Sequence, residues 1–260
     1  ISMVVVRVKG GLGNQLFQYA TGYAVARKMN TELCVEKSFY PMQKLRGFKL
    51  SLLTISESEI KNEICRPLFV QVFENRYINK LLRIAGFEKM TFLNRTYFLE
   101  TKLKYLPQIF ELSSDRVYLD GYFQSYMYFE QYREDLLKLF VPRYEFNEEW
   151  KSYCREMCQV DSVAVHVRRG DYLKIKNKND LQYVLEEDYY KRAIDFLTGK
   201  LSNPVFYWFS DDIEWVKEHF GENSRFKYVR LTSENADLDE MMLMSNCKNI
   251  ITANSSFSWW

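Results

Sequence analysis

The chain has 260 residues, 47% hydrophobic, 17% aromatic and 27% charged, with a formal net charge of +2. That balance excludes disorder and fibrous repeats and leaves too little positive charge for bulk nucleic-acid binding. Five cysteines in a long chain do not read as a disulfide framework, and reduced thiols are expected.

The first element is clear. Met3 to Val8 is a β-branched run that reads as a buried strand. Lys9-Gly-Gly-Leu-Gly-Asn-Gln15 follows, and Leu16, Phe17, Ala20, Tyr23 and Ala24 then fall at helical spacing. The chain has only ten glycines, yet Gly10, Gly11 and Gly13 lie within four positions. Strand, glycine turn and helix open a doubly wound α/β unit. No Lys-Ser/Thr follows the turn, so it is not a Walker A loop. The third glycine of the dinucleotide fingerprint is replaced by Leu16. What remains is a tight turn whose amides at a helix N-terminus suit an anion, or simply a turn from strand to helix.

Residues 40–110 carry weaker patterns. The stretch 76–104 holds seven basic residues against Glu88 and Glu100, with aromatics interleaved. It reads first as a solvated helical face, with an acceptor-binding or membrane-surface patch as the second reading. Val117–Tyr122 reads as a strand. Residues 126–140 read as one amphipathic helix, with Tyr128, Phe129, Tyr132, Leu136, Leu137 and Phe140 on one face, stopped by Pro142. The polar segment 143–161 is expected to separate two domains, 1–155 and 156–260.

From 162 onward strands and helices alternate: strands at 162–167, 204–209, 226–230 and 249–252, helices at 187–199, 212–220 and 235–246. This order implies a parallel sheet, whose ligands bind beyond the carboxyl ends of its strands. Three polar clusters fall at such ends: His166–Asp171, Ser210–Asp212 and Asn254–Ser258. Arg168 and Arg169 are forked, permanently charged donors of the kind a pyrophosphate needs. One could bind phosphate while the other pairs with an acid such as Asp171; a purely structural salt-bridge network is the competing reading. Asp211 and Asp212 offer acceptors to a base edge or ribose, or a helix cap. Asp237 and Asp239 have the spacing of a metal-binding DxD but sit where a first helical turn favours acids. No metal site is expected, at Cys154/Cys158 or elsewhere.

GGLGNQLFQYA, VAVHVRRGDY, FSDD and ITANSSFSWW, in this order from residue 4 to 260, resemble the α-1,2-fucosyltransferases of glycosyltransferase family 11. The resemblance implies a GT-B-like α/β fold: two Rossmann-like domains facing each other across a cleft, an N-terminal acceptor side carrying the glycine turn and a C-terminal donor side. It implies inverting transfer of L-fucose from GDP-β-L-fucose to O2 of a β-galactoside, an oligosaccharide, glycolipid or lipopolysaccharide terminus. It implies no cofactor and no metal. By the same resemblance Arg168 binds the β-phosphate and is catalytic. His166 contacts guanosine, and Asp211 or Asp212 reads guanine. Arg169, Ser255, Ser256 and Phe257 complete the donor site, and Gly11, Gly13 and Asn14 form the loop closing over pyrophosphate and fucose. Asp171 is the nearest candidate base, unless leaving phosphate takes the proton. Transfer of another nucleotide-linked sugar, or binding without catalysis, are the alternative functions. With no signal peptide opening the chain, a cytoplasmic protein is expected, peripheral at the inner membrane surface on the second reading of the basic stretch. Ile1-Ser2 ahead of Met3 reads as an expression remnant, and a further segment is expected beyond Trp260, where relatives usually continue.

Overall fold

A computed structural model describes residues 2–42, 47–61, 66–174 and 183–260. The chain divides into two compact units, Ile1–Tyr144 and Glu145–Trp260.

The first unit is built on six strands: β1 (Met3–Arg7), β2 (Glu32–Glu36), β3 (Ile60–Lys61), β4 (Lys89–Phe92), β5 (Arg95–Leu99) and β6 (Arg116–Asp120). Their order is β3-β2-β1-β6-β5-β4, parallel throughout except for the β4–β5 hairpin. Helix α1 (Leu12–Lys28) is buried on nearly every side, with 14 of its residues inside, the polar Gln15, Gln18 and Thr21 among them, as expected of a helix enclosed by its own unit. Gly22 lets it lie close on the sheet: a β-carbon there would come within 3.0 Å of Val6 and Leu33. Helices α2 (Leu68–Glu74) and α3 (Arg76–Ala85) set Val70, Phe69, Phe73 and Leu82 against Val5, Tyr97 and Tyr118 of the sheet.

Two expectations fail here. The basic stretch 76–104 is helical only as far as Ala85, and the rest is a hairpin and a short loop. The single helix over 126–140 is instead two 3₁₀ turns followed by α4 (Arg133–Leu139). Phe129, at φ −140°, interrupts the helical path. The Tyr128 hydroxyl accepts from the Leu106 amide at 2.9 Å and donates to the Lys104 carbonyl at 3.2 Å. These contacts anchor the turn where its ring packs, and Leu137 is left exposed.

The second unit opens on α5 (Glu148–Cys158), within the polar segment expected to separate the two domains. Asn147 caps it, its side chain accepting from the Trp150 amide at 2.9 Å, and Glu148 and Glu149 favour its first turn. Strands β7 (Asp161–Val167), β8 (Pro204–Ser210), β9 (Phe226–Tyr228) and β10 (Asn249–Ile251) form an all-parallel sheet of order β10-β7-β8-β9. Its crossovers are α6 (Glu187–Thr198), α7 (Ile213–Phe220) and α8 (Ala236–Ser245), and α9 (Ser256–Trp259) ends the chain. Strand alternation sorts the core into two layers: Val163, Val165, Phe206 and Trp208 pack towards Tyr190 and Val216, whereas Ala164, Tyr207 and Phe209 pack towards Trp150, Met157 and Leu243. Among the described residues all four cysteines are free, and no helix is long and apolar enough to cross a membrane.

Candidate functional site

The second sheet reverses its strand order at β7, which leads to β8 on one side and lies beside β10 on the other. A crevice beyond the carboxyl ends of strands at such a point is the usual ligand position in open parallel sheets. All three polar clusters converge there. Arg168, just past β7, forms an ion pair at 2.9 Å with Asp211, just past β8. Arg169 pairs with Asp212 at 3.2 Å and lies over the Trp215 ring at 3.4 Å, while its amide donates to Asp211 at 2.9 Å. From the β10 side, the Asn254 carbonyl accepts from Tyr172, whose ring lies 5.5 Å from the Arg168 guanidinium, and Phe257 packs on His166 at 5.2 Å.

Both arginines therefore rest on acids of the Ser-Asp-Asp cluster. The side chain of Asp171, expected as one such partner, lies outside the described residues. Neither aspartate caps α7: Asp212 occupies the N-cap position without a side-chain capping bond. Ser255 caps α9, accepting from the Phe257 amide at 3.3 Å, so the end of the SSFSWW block is a short helix. Asp239 is buried and accepts from Ser233 at 2.5 Å. Among the described residues no group of three or more His, Cys, Asp or Glu side chains could hold a metal ion.

His166 is buried, and its Nδ1 has no hydrogen-bond partner. Burial first, and the neighbouring Arg168 charge second, push its imidazole down to about 3, so it is neutral at physiological pH. An orphaned buried nitrogen costs free energy unless a ligand satisfies it.

The first sheet has its own reversal point, between β1 and β6. The glycine turn leaves β1 there. Gly10 adopts φ +85°, and Gly11 precedes α1 with no side-chain cap and no acid in the first turn. A second turn, Gly121–Gln124, leaves β6. Gln18 joins the two, accepting from the Lys9 amide and donating to the Gly121 carbonyl, each at 2.9 Å. Gln124 donates to the Asn14 side chain at 2.7 Å. Phe123 holds φ +52°, an unusual conformation for a bulky residue, fixed by buried Glu100, which accepts from the Tyr122 and Phe123 amides at 2.7 and 3.0 Å. Below the turns lies a charged cluster. Asp120 takes Lys9 at 2.5 Å, Tyr97 at 2.5 Å and Arg7 at 3.5 Å. Burial acts to raise its carboxyl, but the charges of Lys9 and Arg7 prevail and hold it at about 2.

Sequence reasoning missed several of these residues. Gly170 is one: a β-carbon there would collide with the Asp211 carboxylate. Its signal was available, because glycine is scarce in this chain and this one follows the paired arginines. Trp215 and Tyr172 gave no such signal. Lys9, Glu100 and Asp120 were hidden because charged residues at strand ends read as ordinary surface.

The family model of glycosyl transferase family 11 matches residues 3–260. The chain belongs to this family. An α-1,2-colitosyltransferase of Escherichia coli is 36% identical over 100% of the chain and 87% of its own length. The O-antigen glycosyltransferase WbnK of the same organism is 29% identical over 97% and 87%. The galactoside 2-α-L-fucosyltransferase Sec1 of Mus musculus is 24% identical over 99% of the chain but 63% of its own length. Among solved structures, the α-1,6-fucosyltransferase NodZ soaked with GDP-fucose superposes with TM-score 0.58 at 12% identity, covering 99% of this chain and 90% of that one. POFUT1 in complex with GDP-fucose gives TM-score 0.52 at 10% identity, covering 99% and 92%. The fold of this family 11 glycosyltransferase is accordingly α/β and GT-B-like.

Proposed function

We propose that this glycosyltransferase moves L-fucose from GDP-β-L-fucose to O2 of a β-galactoside, inverting the anomeric centre. The observation that carries the reading is the pair of arginines at the reversal point of the second sheet, each resting on a carboxylate that solvent still reaches. As the galactose oxygen approaches and the bond to the β-phosphate breaks, negative charge builds on departing GDP. A forked, preorganised cation is the group best able to stabilise it, and Arg168 takes that role. Arg169, clamped on Trp215 and Asp212, keeps the strand end rigid. The open Nδ1 of His166 meets guanosine, with Phe257 behind it, and Asp211 or Asp212 reads guanine. Ser255 and Ser256 border the same donor, and Gly11, Gly13 and Asn14 lie at the N-terminal end of α1, where a helix favours an anion. The proton leaving O2 passes to Asp171 or to the leaving phosphate. The two guanidinium groups supply positive charge at the phosphates, and chelation with EDTA is expected to leave turnover unchanged.

One observation favours a second donor: the relative at 36% identity is named for colitose, which is fucose lacking its 3-hydroxyl. A panel of GDP-fucose, GDP-colitose, GDP-mannose and UDP-sugars, with lactose and other β-galactosides as acceptors and the linkage read by NMR, decides between them. The reading predicts the highest kcat/KM with GDP-fucose and an α-1,2 product. Faster transfer from GDP-colitose moves the assignment to the deoxy sugar, and GDP binding without any turnover defeats it.

A further inference from the structure

The outer side of the first unit carries an apolar face that the fold does not use. In α3, Asn79, Leu82 and Arg83 turn inward: Asn79 donates to Asp120 at 3.4 Å and Leu82 packs in the core. At 100° per residue the opposite stripe is Tyr77, Leu81 and Ile84, and all three are exposed, Ile84 to 74%. Helix α2 repeats the arrangement, with Phe69 and Phe73 inward and Leu68 and Val72 outward. Both helices pack their inner sides on the same face of the sheet, so their outer sides look the same way.

The β4–β5 hairpin continues this face. Phe92 is exposed yet touches Phe69 of α2, with ring centroids 6.3 Å apart. The pairing of Phe92 with Arg95 leaves a two-residue turn, Leu93–Asn94, in which both residues have positive φ, 46° and 57°. Such turns favour Asn or Gly at both positions. Leucine there is conformationally costly, and at 76% exposure it recovers nothing by packing. A strained, apolar hairpin tip that gains nothing inside the fold points to an environment outside it.

Charge supplies the rest. Arg76 and Lys80 of α3 and Lys89 of β4 are exposed, and Lys102 and Lys104 are exposed in the loop after β5. Of the acids of this region, Glu74 is 9% exposed and pairs with Arg66, and Glu100 is buried on its two amides. Glu88 is half-buried and accepts from Thr101 at 2.8 Å, and Asp115, next to the Arg116 whose amide bonds the Asn94 carbonyl, is exposed. The region thus shows solvent mainly apolar and positive groups, with basic residues outnumbering the exposed acid Asp115. That is the chemistry of an interfacial helix on an anionic bilayer, where apolar side chains enter the headgroup boundary and basic ones meet lipid phosphates.

The geometry points to α2, α3 and the β4–β5 tip as a docking surface for an anionic lipid bilayer. The test is co-sedimentation of the full chain with vesicles of phosphatidylglycerol and phosphatidylcholine, against phosphatidylcholine alone. Binding is expected only with phosphatidylglycerol, falling steeply between low and 0.5 M salt, about fivefold for each basic residue reversed. Leu81→Ser with Ile84→Ser is expected to weaken binding about tenfold or more. Leu93→Asn is expected to weaken it severalfold while leaving the melting temperature equal or higher, since asparagine suits that turn. Transfer to a soluble acceptor should be unchanged in both variants. Failure of the wild type to sediment with anionic vesicles overturns the proposal, as do variants that bind like wild type. A concentration-dependent dimer abolished by the same substitutions also overturns it and assigns the face to a second copy of the chain.

Discussion

The two sheets end in the same residue types and use them differently. At the reversal point of the first, Arg7 and Lys9 meet Asp120, whose side chain is 2% exposed. At that of the second, Arg168 and Arg169 meet Asp211 and Asp212, exposed to 27% and 38%. A sealed carboxylate is committed: removing it would leave the largely buried Lys9 without its ion-pair partner and Arg7 with only its longer contacts to Glu36 and Glu74. A carboxylate that solvent reaches can be exchanged for a phosphate at small cost. Position and composition do not separate structural from ligand-binding charge here. Access to the acid partner does.

Five substitutions would break or sharpen that contrast. The largest effect is expected from Asp120→Asn, which should cost about 3–5 kcal/mol in urea denaturation, against roughly 0–1 kcal/mol for Asp212→Asn. Comparable losses would erase the distinction. Next, Arg168→Ala should fold normally and lower kcat/KM by about 10²–10³-fold, a result that near-wild-type transfer would refute. Third is the pH dependence of His166. Above pH 6.5 its imidazole is neutral in folded and unfolded chains alike. Below 6.5 the unfolded chain takes up a proton that the native one refuses down to about 3, so stability should fall across that window. His166→Gln should flatten this slope by on the order of 1–3 kcal/mol. The loss carried by Asp120 appears only below about pH 4 and persists in that variant, because its native carboxyl titrates near 2 rather than 3.8. Smallest is Gly170→Ala, which must displace Asp211 from its arginines. Roughly tenfold lower kcat/KM at nearly unchanged stability is expected, and unaltered kinetics would show that the Asp211 contact does not position Arg168.

The second unit was legible in sequence because β7 and β8 are β-branched or aromatic runs and the helices α6 and α7 each show one apolar side. Both periods are visible one residue at a time. The clusters at its strand ends could be placed together from strand order alone. Which acid would take which arginine could not, since that depends on β7 and β8 lying side by side in register, Val167 against Ser210. Helix α5 carried its cap and acidic first turn in plain view at Asn147–Glu149, and polar composition concealed them. In the first unit the hairpin was hidden by its turn, because Leu93 is not a residue that marks one. The helix expected over 126–140 failed for a tertiary reason: the contacts of the Tyr128 hydroxyl outweigh continuous helical hydrogen bonding.

The pairing of β1 with β6 has a consequence for how the protein is made. Lys9 meets its counter-ion across 111 residues of chain. At about 5–20 residues per second, a ribosome needs on the order of 6–20 s to supply Asp120 after Lys9. During that interval the apolar strand MVVVR can pair only with β2, and its other edge stays open. The nascent chain is therefore most prone to aggregate before residue 120 emerges, so substitutions that slow β4 to β6 would lower yield even where the finished fold tolerates them.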